Sequence, residues 1–229
     1  LLHSGQYSIP ELEKLSAGEE IVGSFDLESI NAETLLFQAG YLTIAHFEQI
    51  GSFCRYELTY PNTEVKSSLN NAILSSLAQD RLAKTKNQSK LIDALLANNL
   101  DQLRDIFHAF FASIPHDWYR KNQLSGYEGY YASIVYCYFA ALGLDVRPEE
   151  ATNKGRMDLV VRFQDRVYVI EFKVVEQAGE EGALEQIKAR RYGDKLAGQE
   201  VYLIGVEFSS AQRNVVGFEW ERDVRAGEC

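Results

Sequence analysis

Cysteine is scarce in this chain. Cys54, Cys137 and Cys229 are three thiols at wide spacing, with no C-x-x-C pair. An odd, scattered set excludes a disulfide framework or a Cys-based zinc site, and it fits a reducing compartment, the cytoplasm. No G-x-x-x-x-G-K-[ST] occurs, so nothing binds nucleotide through a P-loop. Internal repeats and low-complexity tracts are absent. The longest apolar run, near Ile134–Leu144, is too short to span a bilayer and includes Tyr136 and Tyr138, so no membrane partner is expected. No signal peptide opens the chain, and Leu1 rather than Met stands first, which reads either as a fragment or as a chain that has lost its start. Positive charge is also in short supply. Lys and Arg total 23 against 33 Asp and Glu, a formal net charge of -10 over 229 residues. That excludes a general polyanion binder, and any nucleic-acid contact must come from a local basic surface.

What is present is ordinary globular material, 46% apolar and 24% charged, which rules out wholesale disorder. The charge is uneven. Residues 1–119 carry 8 basic and 15 acidic side chains, whereas residues 120–229 carry 15 and 18. The second stretch also holds 10 of the 13 Arg. Arg is the side chain best shaped for phosphate, so a phosphate-facing site belongs there.

The punctuation separates two halves of different rhythm. Ser8-Ile9-Pro10-Glu11 reads as a capping box opening a short helix through about Ser16. Asn31 caps a second helix that stops at Gly40. Strand-like runs follow over Tyr41–Phe47 and Phe53–Tyr60, divided by Gly51. Helical patterns then dominate, about Thr63–Gln79, Ser89–Asn98 and Leu100–Ser113. In the last, Leu103, Ile106, Phe107, Phe110 and Phe111 make one apolar face. His46, His108 and His116 stand apart without a metal-spaced partner and read as surface or core residues.

The second half predicts a long helix over Ser125–Leu142, ended by Gly143, and strands over Leu144–Arg147, Met157–Phe163 and Val167–Val175. Gln164-Asp165-Arg166 makes the tight turn between the last two. A helix over about Glu180–Tyr192, a strand Val201–Phe208 and a further strand Val215–Trp220 complete it. The order α-β-β-β-α-β, with an extra strand, implies a mixed sheet flanked by helices.

Chemistry concentrates in Gly155-Arg156-Met157-Asp158-Leu159-Val160-Val161 and Val167-Tyr168-Val169-Ile170-Glu171-Phe172-Lys173. In a strand, alternate side chains share a face. Val167, Val169, Glu171 and Lys173 therefore point one way, and Tyr168, Ile170 and Phe172 point into the core. A hairpin turning at residues 164–166 brings Asp158 beside Glu171. Two carboxylates in a partly apolar setting repel unless one protonates or both share a cation. A hard divalent cation such as Mg²⁺ suits a site of few carboxylates and several waters. Lys173 then holds or deprotonates a metal-bound water, or stabilises charge on phosphate. The bland alternative makes Asp158 a turn cap and Glu171 with Lys173 an exposed ion pair. The bounded Asp–hairpin–Glu-x-Lys arrangement between two helices favours the chemical reading.

These residues and their element order resemble the PD-(D/E)XK nuclease superfamily, with Met157 where the motif's name has Pro. The resemblance implies an α/β fold, a restriction-endonuclease-like αβββαβ core preceded by a mostly helical region with a small β-hairpin. It implies catalytic roles for Asp158, Glu171 and Lys173. It also implies Mg²⁺ or Mn²⁺ held by Asp158, Glu171 and the backbone carbonyl of Phe172. A third acid from the first helix falls on Glu128, whose alternative role is to complement the helix dipole. Gln186, on the helix after the motif, matches a Gln that some branches use to touch DNA or the active site. Their Tyr stands four residues on, whereas Tyr192 stands six residues on. Lys188, Arg190, Arg191 and Lys195 line a phosphate track or simply a solvated helix face.

Further resemblance lies in Phe110–Tyr119, Tyr127–Tyr131 and Leu35–Ile44, which look like the C-terminal part of bacterial AAA-ATPase-like proteins ending in such a nuclease domain. It implies that residues 1–60 are the tail of an ATPase module, 61–119 a helical linker and 120–229 the nuclease domain. The activity implied is metal-dependent phosphodiester hydrolysis, with DNA as the expected partner. The rival is a catalytically silent nuclease fold that serves an ATPase as a binding module, and a third option gives the helical half a peptide-binding role.

Overall fold

One segment of the chain has no polar face. From Gly129 to Ala141 every residue of Glu-Gly-Tyr-Tyr-Ala-Ser-Ile-Val-Tyr-Cys-Tyr-Phe-Ala-Ala after Glu128 is buried. A helix that is apolar all round must be enclosed on all sides, and the rest of the fold supplies that enclosure. The computed structural model describes residues 9–19, 21, 31–78, 80–114, 128–148, 159–175, 182–189 and 199–223. In chain order its elements are a 3₁₀ segment Ile9–Lys14, β1 Leu15–Ala17, α1 Ala32–Gln38, β2 Thr43–Ile50, β3 Phe53–Thr59, α2 Thr63–Leu77, α3 Arg81–Leu96 and α4 Leu100–Ala112. The second half holds α5 Glu128–Ala141, β4 Asp145–Pro148, β5 Leu159–Phe163, β6 Arg166–Val174, α6 Ala183–Ala189, β7 Glu200–Ser209 and β8 Asn214–Asp223. The expected α-β-β-β-α-β order with an extra strand is the order found, and the fold is the mixed α/β, restriction-endonuclease-like one.

The five-stranded sheet runs β4-β5-β6-β7-β8, with β6 and β7 parallel and the other pairs antiparallel. Its two faces bury different side chains, as the period of two requires. Leu159, Val161, Tyr168, Ile170, Phe172, Ile204 and Val206 face the large core around α5. Val160, Val167, Val169, Val201 and Leu203 pack with Leu184 and Ile187 of α6 on the opposite face. Between β5 and β6 the turn opens on Gln164 at φ 57, a left-handed conformation that lets Phe163 pair with Arg166.

The remaining sides of α5 are closed by the first half. The apolar face of α4 lies against it, with Phe107 edge-on to Phe139 at 6.2 Å and Phe111 tilted against Tyr131 at 5.4 Å. From α2, Ser67 donates to the Ala140 carbonyl at 3.0 Å and Asn71 to the Ala141 carbonyl at 3.1 Å. At this helix end, where carbonyls lack intrahelical donors, Asn71 supplies one for Ala141, and Ser67 joins the Gly143 amide on Ala140. The Ile9 amide donates to Ser133 at 3.2 Å, and the Tyr136 hydroxyl donates to Glu13, itself paired with Lys66. At the opposite end of the sheet, Arg166 donates to the Leu95 carbonyl at 2.8 Å and Tyr168 to Asn98 at 3.1 Å. One apolar core thus runs from Ile9 to Val215.

Two local expectations are revised. The opening helix is a 3₁₀ segment that gives way to β1, because Leu15 and Ala17 pair with Leu58 and Tyr56 of β3 and complete a three-stranded sheet β1-β3-β2. The third helix begins at Arg81, not near Ser89, where the Asp80 side chain accepts from the Leu82 amide at 2.8 Å. Its polar first half offers no apolar period, so the cap alone marks its start. Among the described residues no helix is long and apolar enough to cross a membrane.

Two outcomes are expected. A fragment of residues 120–229 would expose α5 and show no cooperative unfolding by calorimetry, whereas the whole chain melts in one transition. Burial raises the pKa of Cys137 and, as the largest cause, those of Tyr60, Tyr136 and Tyr138. The native state keeps these protons after the unfolded chain has begun to release them. Stability therefore falls as pH rises above about 9, by up to ~1.4 kcal/mol per pH unit for each group. Thermal melts from pH 7 to 11 measure this, and with Cys137→Ala the decline begins nearer pH 10, where tyrosines of the unfolded chain ionise.

Candidate active site

After Arg166 at its start, strand β6 is apolar until Glu171 and Lys173, which follow Val167 and Val169 on the α6 face. Glu171 is fully buried at 0% exposure and Lys173 nearly so at 8%. The exposed surface ion pair of the bland alternative is thus not what the sheet builds. Ionised groups withdrawn from water need compensating partners, so this pair marks a polar interior at one end of the sheet.

The edge geometry of β6 follows from its hydrogen bonds. The Val175 amide donates to the Phe208 carbonyl on the β7 side at 2.8 Å. Alternation then turns the amides and carbonyls of residues 174 and 172 toward the other edge. Among the described residues the last pair of β5 with β6 toward that end is Leu159 with Ile170. The carboxylate of Glu128, in the first turn of α5, reaches this edge and accepts from the Val174 amide at 3.2 Å. The Phe172 carbonyl shares that edge with the bond to Glu128. Glu128 thus bonds β6 at Val174, close in sequence to Glu171 and Phe172, and hard oxygen donors of these kinds suit Mg²⁺ or Mn²⁺. Among the described residues no three His, Cys, Asp or Glu side chains form a metal-holding group. Asp158, like Met157, lies outside the described residues, as do Arg190, Arg191, Tyr192 and Lys195.

On the opposite side of the pair stands α6. Its Gln186 is 7% exposed, and its Oε1 is buried with no hydrogen-bond partner among the described residues. Lys188, on the same helix, pairs with Glu185 at 2.9 Å and Glu221 at 2.7 Å. Its charge already faces two carboxylates.

One residue escaped the sequence reading. Glu207 stands opposite Lys173 in the parallel register of β6 and β7, just as Gly205 stands opposite Glu171. Its Oε1 accepts from the Ala183 amide at the start of α6, at 3.3 Å. The signal was the one that exposed Glu171, a lone acid in an otherwise apolar strand, Val201–Phe208.

Comparison with known proteins bears on the same stretch. Residues 126–218 match the family model of the PD-(D/E)XK nuclease superfamily. Over 211 residues the chain is 50% identical to an uncharacterized protein encoded in the vnfD 5′ region of Azotobacter chroococcum mcd 1, covering 91% of this chain and 41% of that protein. The chain therefore spans about two fifths of that relative's length. No solved structure matches. The matched interval contains α5, the strand β6 that carries Glu171 and Lys173, and α6. Residues 126–218 form a domain of the PD-(D/E)XK nuclease superfamily.

Proposed function

We propose that this domain is a metal-dependent nuclease that hydrolyses phosphodiester bonds, with DNA as substrate. The observation that carries the reading is the burial of Glu171 and Lys173 on one face of β6 inside a PD-(D/E)XK domain. Asp158, Glu171, the Phe172 carbonyl and Glu128 are the groups that would hold Mg²⁺ or Mn²⁺. When bound, such a cation lowers the pKa of a water and neutralises phosphate charge. Lys173 orients the attacking water and stabilises charge that develops on the phosphate oxygens. Gln186, Arg190, Arg191 and Tyr192 bind the polynucleotide, and Lys188 joins them once its pairs with Glu185 and Glu221 loosen.

The reading extends to the surroundings of the domain. Residues 1–60 are the tail of an ATPase-like module, residues 61–119 a helical connection, and the whole works in the cytoplasm. The A. chroococcum relative is longer than this chain, which leaves room for such a module. A second reading, a nuclease fold without turnover that binds nucleic acid or protein, draws support from the net charge of -10 and from the paired state of Lys188.

Two measurements separate them. Millimolar Mg²⁺ or Mn²⁺ should raise the melting temperature, since a ligand of the native state alone stabilises it by about 2.7 kcal/mol at a hundred times its Kd. Glu171→Gln and Asp158→Ala should each lose that shift while remaining folded. Absence of any shift in the wild type counts against the metal site. Plasmid, linear and single-stranded DNA incubated with Mn²⁺ should be cut by the wild type and cut at least about a hundredfold more slowly by Lys173→Ala. Equal rates would assign the cutting to other residues.

A further inference from the structure

Helix α6 approaches the sheet unusually closely, and three residues on the β7 and β8 strands make this possible. A Cβ on Gly205 would lie 2.4 Å from the Leu184 nitrogen and 2.9 Å from its Cα. Only a residue without a side chain lets the first turn of α6 rest on the backbone of β7 at that point. Two residues on, the same face of β7 carries Glu207, whose Oε1 accepts from the Ala183 amide at 3.3 Å. Gly217, opposite Glu207 on β8, leaves space for the acid, since a Cβ there would lie 2.5 Å from Glu207 Oε2. Gly182 closes the other side, where a Cβ would stand 3.3 Å from Glu207 Oε1. The carboxylate is thereby held between two glycines and tied to the start of a helix.

The register gives this clamp its location. Gly205 is the parallel partner of Glu171, and Glu207 that of Lys173. The first turn of α6 is fastened beside the two strand positions that carry the proposed chemistry. One turn further along the same helix is Gln186, nine-tenths buried, with an Oε1 that has no hydrogen-bond partner among the described residues.

We propose that Glu207 is a positioning residue that fixes α6 through the Ala183 amide and so holds Gln186 in place for nucleic acid. The proposal rests on the nuclease reading for its ligand, whereas the clamp itself does not. Glu207 takes no part in holding the metal. Its work requires an acceptor oxygen at the Ala183 amide and not a negative charge. Glutamine keeps that acceptor and alanine does not.

The test compares wild type, Glu207→Ala and Glu207→Gln in two readouts. In amide hydrogen exchange, residues 183–187 should exchange about tenfold faster in Glu207→Ala, with Glu207→Gln close to wild type. In fluorescence anisotropy with a labelled DNA duplex and Ca²⁺, Glu207→Ala should bind about tenfold more weakly and Glu207→Gln within about threefold of wild type. The metal-induced rise in melting temperature should be the same in all three. Unchanged exchange in Glu207→Ala overturns the clamp. Equal damage in the alanine and glutamine variants overturns the acceptor role. Faster exchange with unchanged affinity overturns the link to nucleic acid. A wild type that neither binds nor cuts DNA defeats the nuclease reading and with it that link, and the exchange pattern still decides the clamp.

Discussion

The fold depends on enclosing α5. A helix whose residues 129–141 are all buried gains stability from apolar contact on every side and nothing from solvation of a polar face. A sheet covers one side of such a helix. The others must be covered by something, and in this chain α2, α4 and the 3₁₀ segment do it. The helical first half is therefore part of the same core as the nuclease-like domain, whatever its ancestry. Polar side chains refine the fit. Ser67 and Asn71 take up carbonyls at the end of α5, and the Glu13–Lys66 pair receives the Tyr136 hydroxyl where that ring reaches the surface of the core.

Enclosure also explains where the polar end of the sheet lies. Beyond the described pair Leu159–Ile170, Glu128 arrives at β6 from the start of α5 and accepts from the Val174 amide. A helix and a strand that must pack for apolar reasons thus bring a carboxylate to a backbone amide of β6. On the other face, two glycines and an acid hold α6 close to the same strand positions. The proposed site draws on packing on both faces of one strand, and neither face alone brings these groups together.

Much of this was legible from residue order. Alternation in Val167–Lys173 separated Glu171 and Lys173 from Tyr168, Ile170 and Phe172, and the two faces of the sheet bury those same sets of apolar residues. The turn at Gln164, the stop at Gly143 and the apolar face of α4 were equally readable, because each is a local pattern. What escaped had another cause. β1 is three residues long and is a strand only because β3 lies beside it. The first half of α3 is polar and has no period to detect. Glu207 shows its role only when its strand is aligned with β6 and β8.

The amino-acid sequence by itself determined the order of the elements, the two faces of the central strand and the position of an acid and a base on one of them. These follow from periods of two and 3.6 residues and from turn chemistry, which act between near neighbours. Only the tertiary structure decided that Glu171 and Lys173 are buried, that Glu128 meets the edge of β6, and that Glu207 ties down α6. Burial and hydrogen bonding between strands and helices distant in sequence are properties of the packed chain, and no local pattern records which partners close packing will bring within 3 or 4 Å.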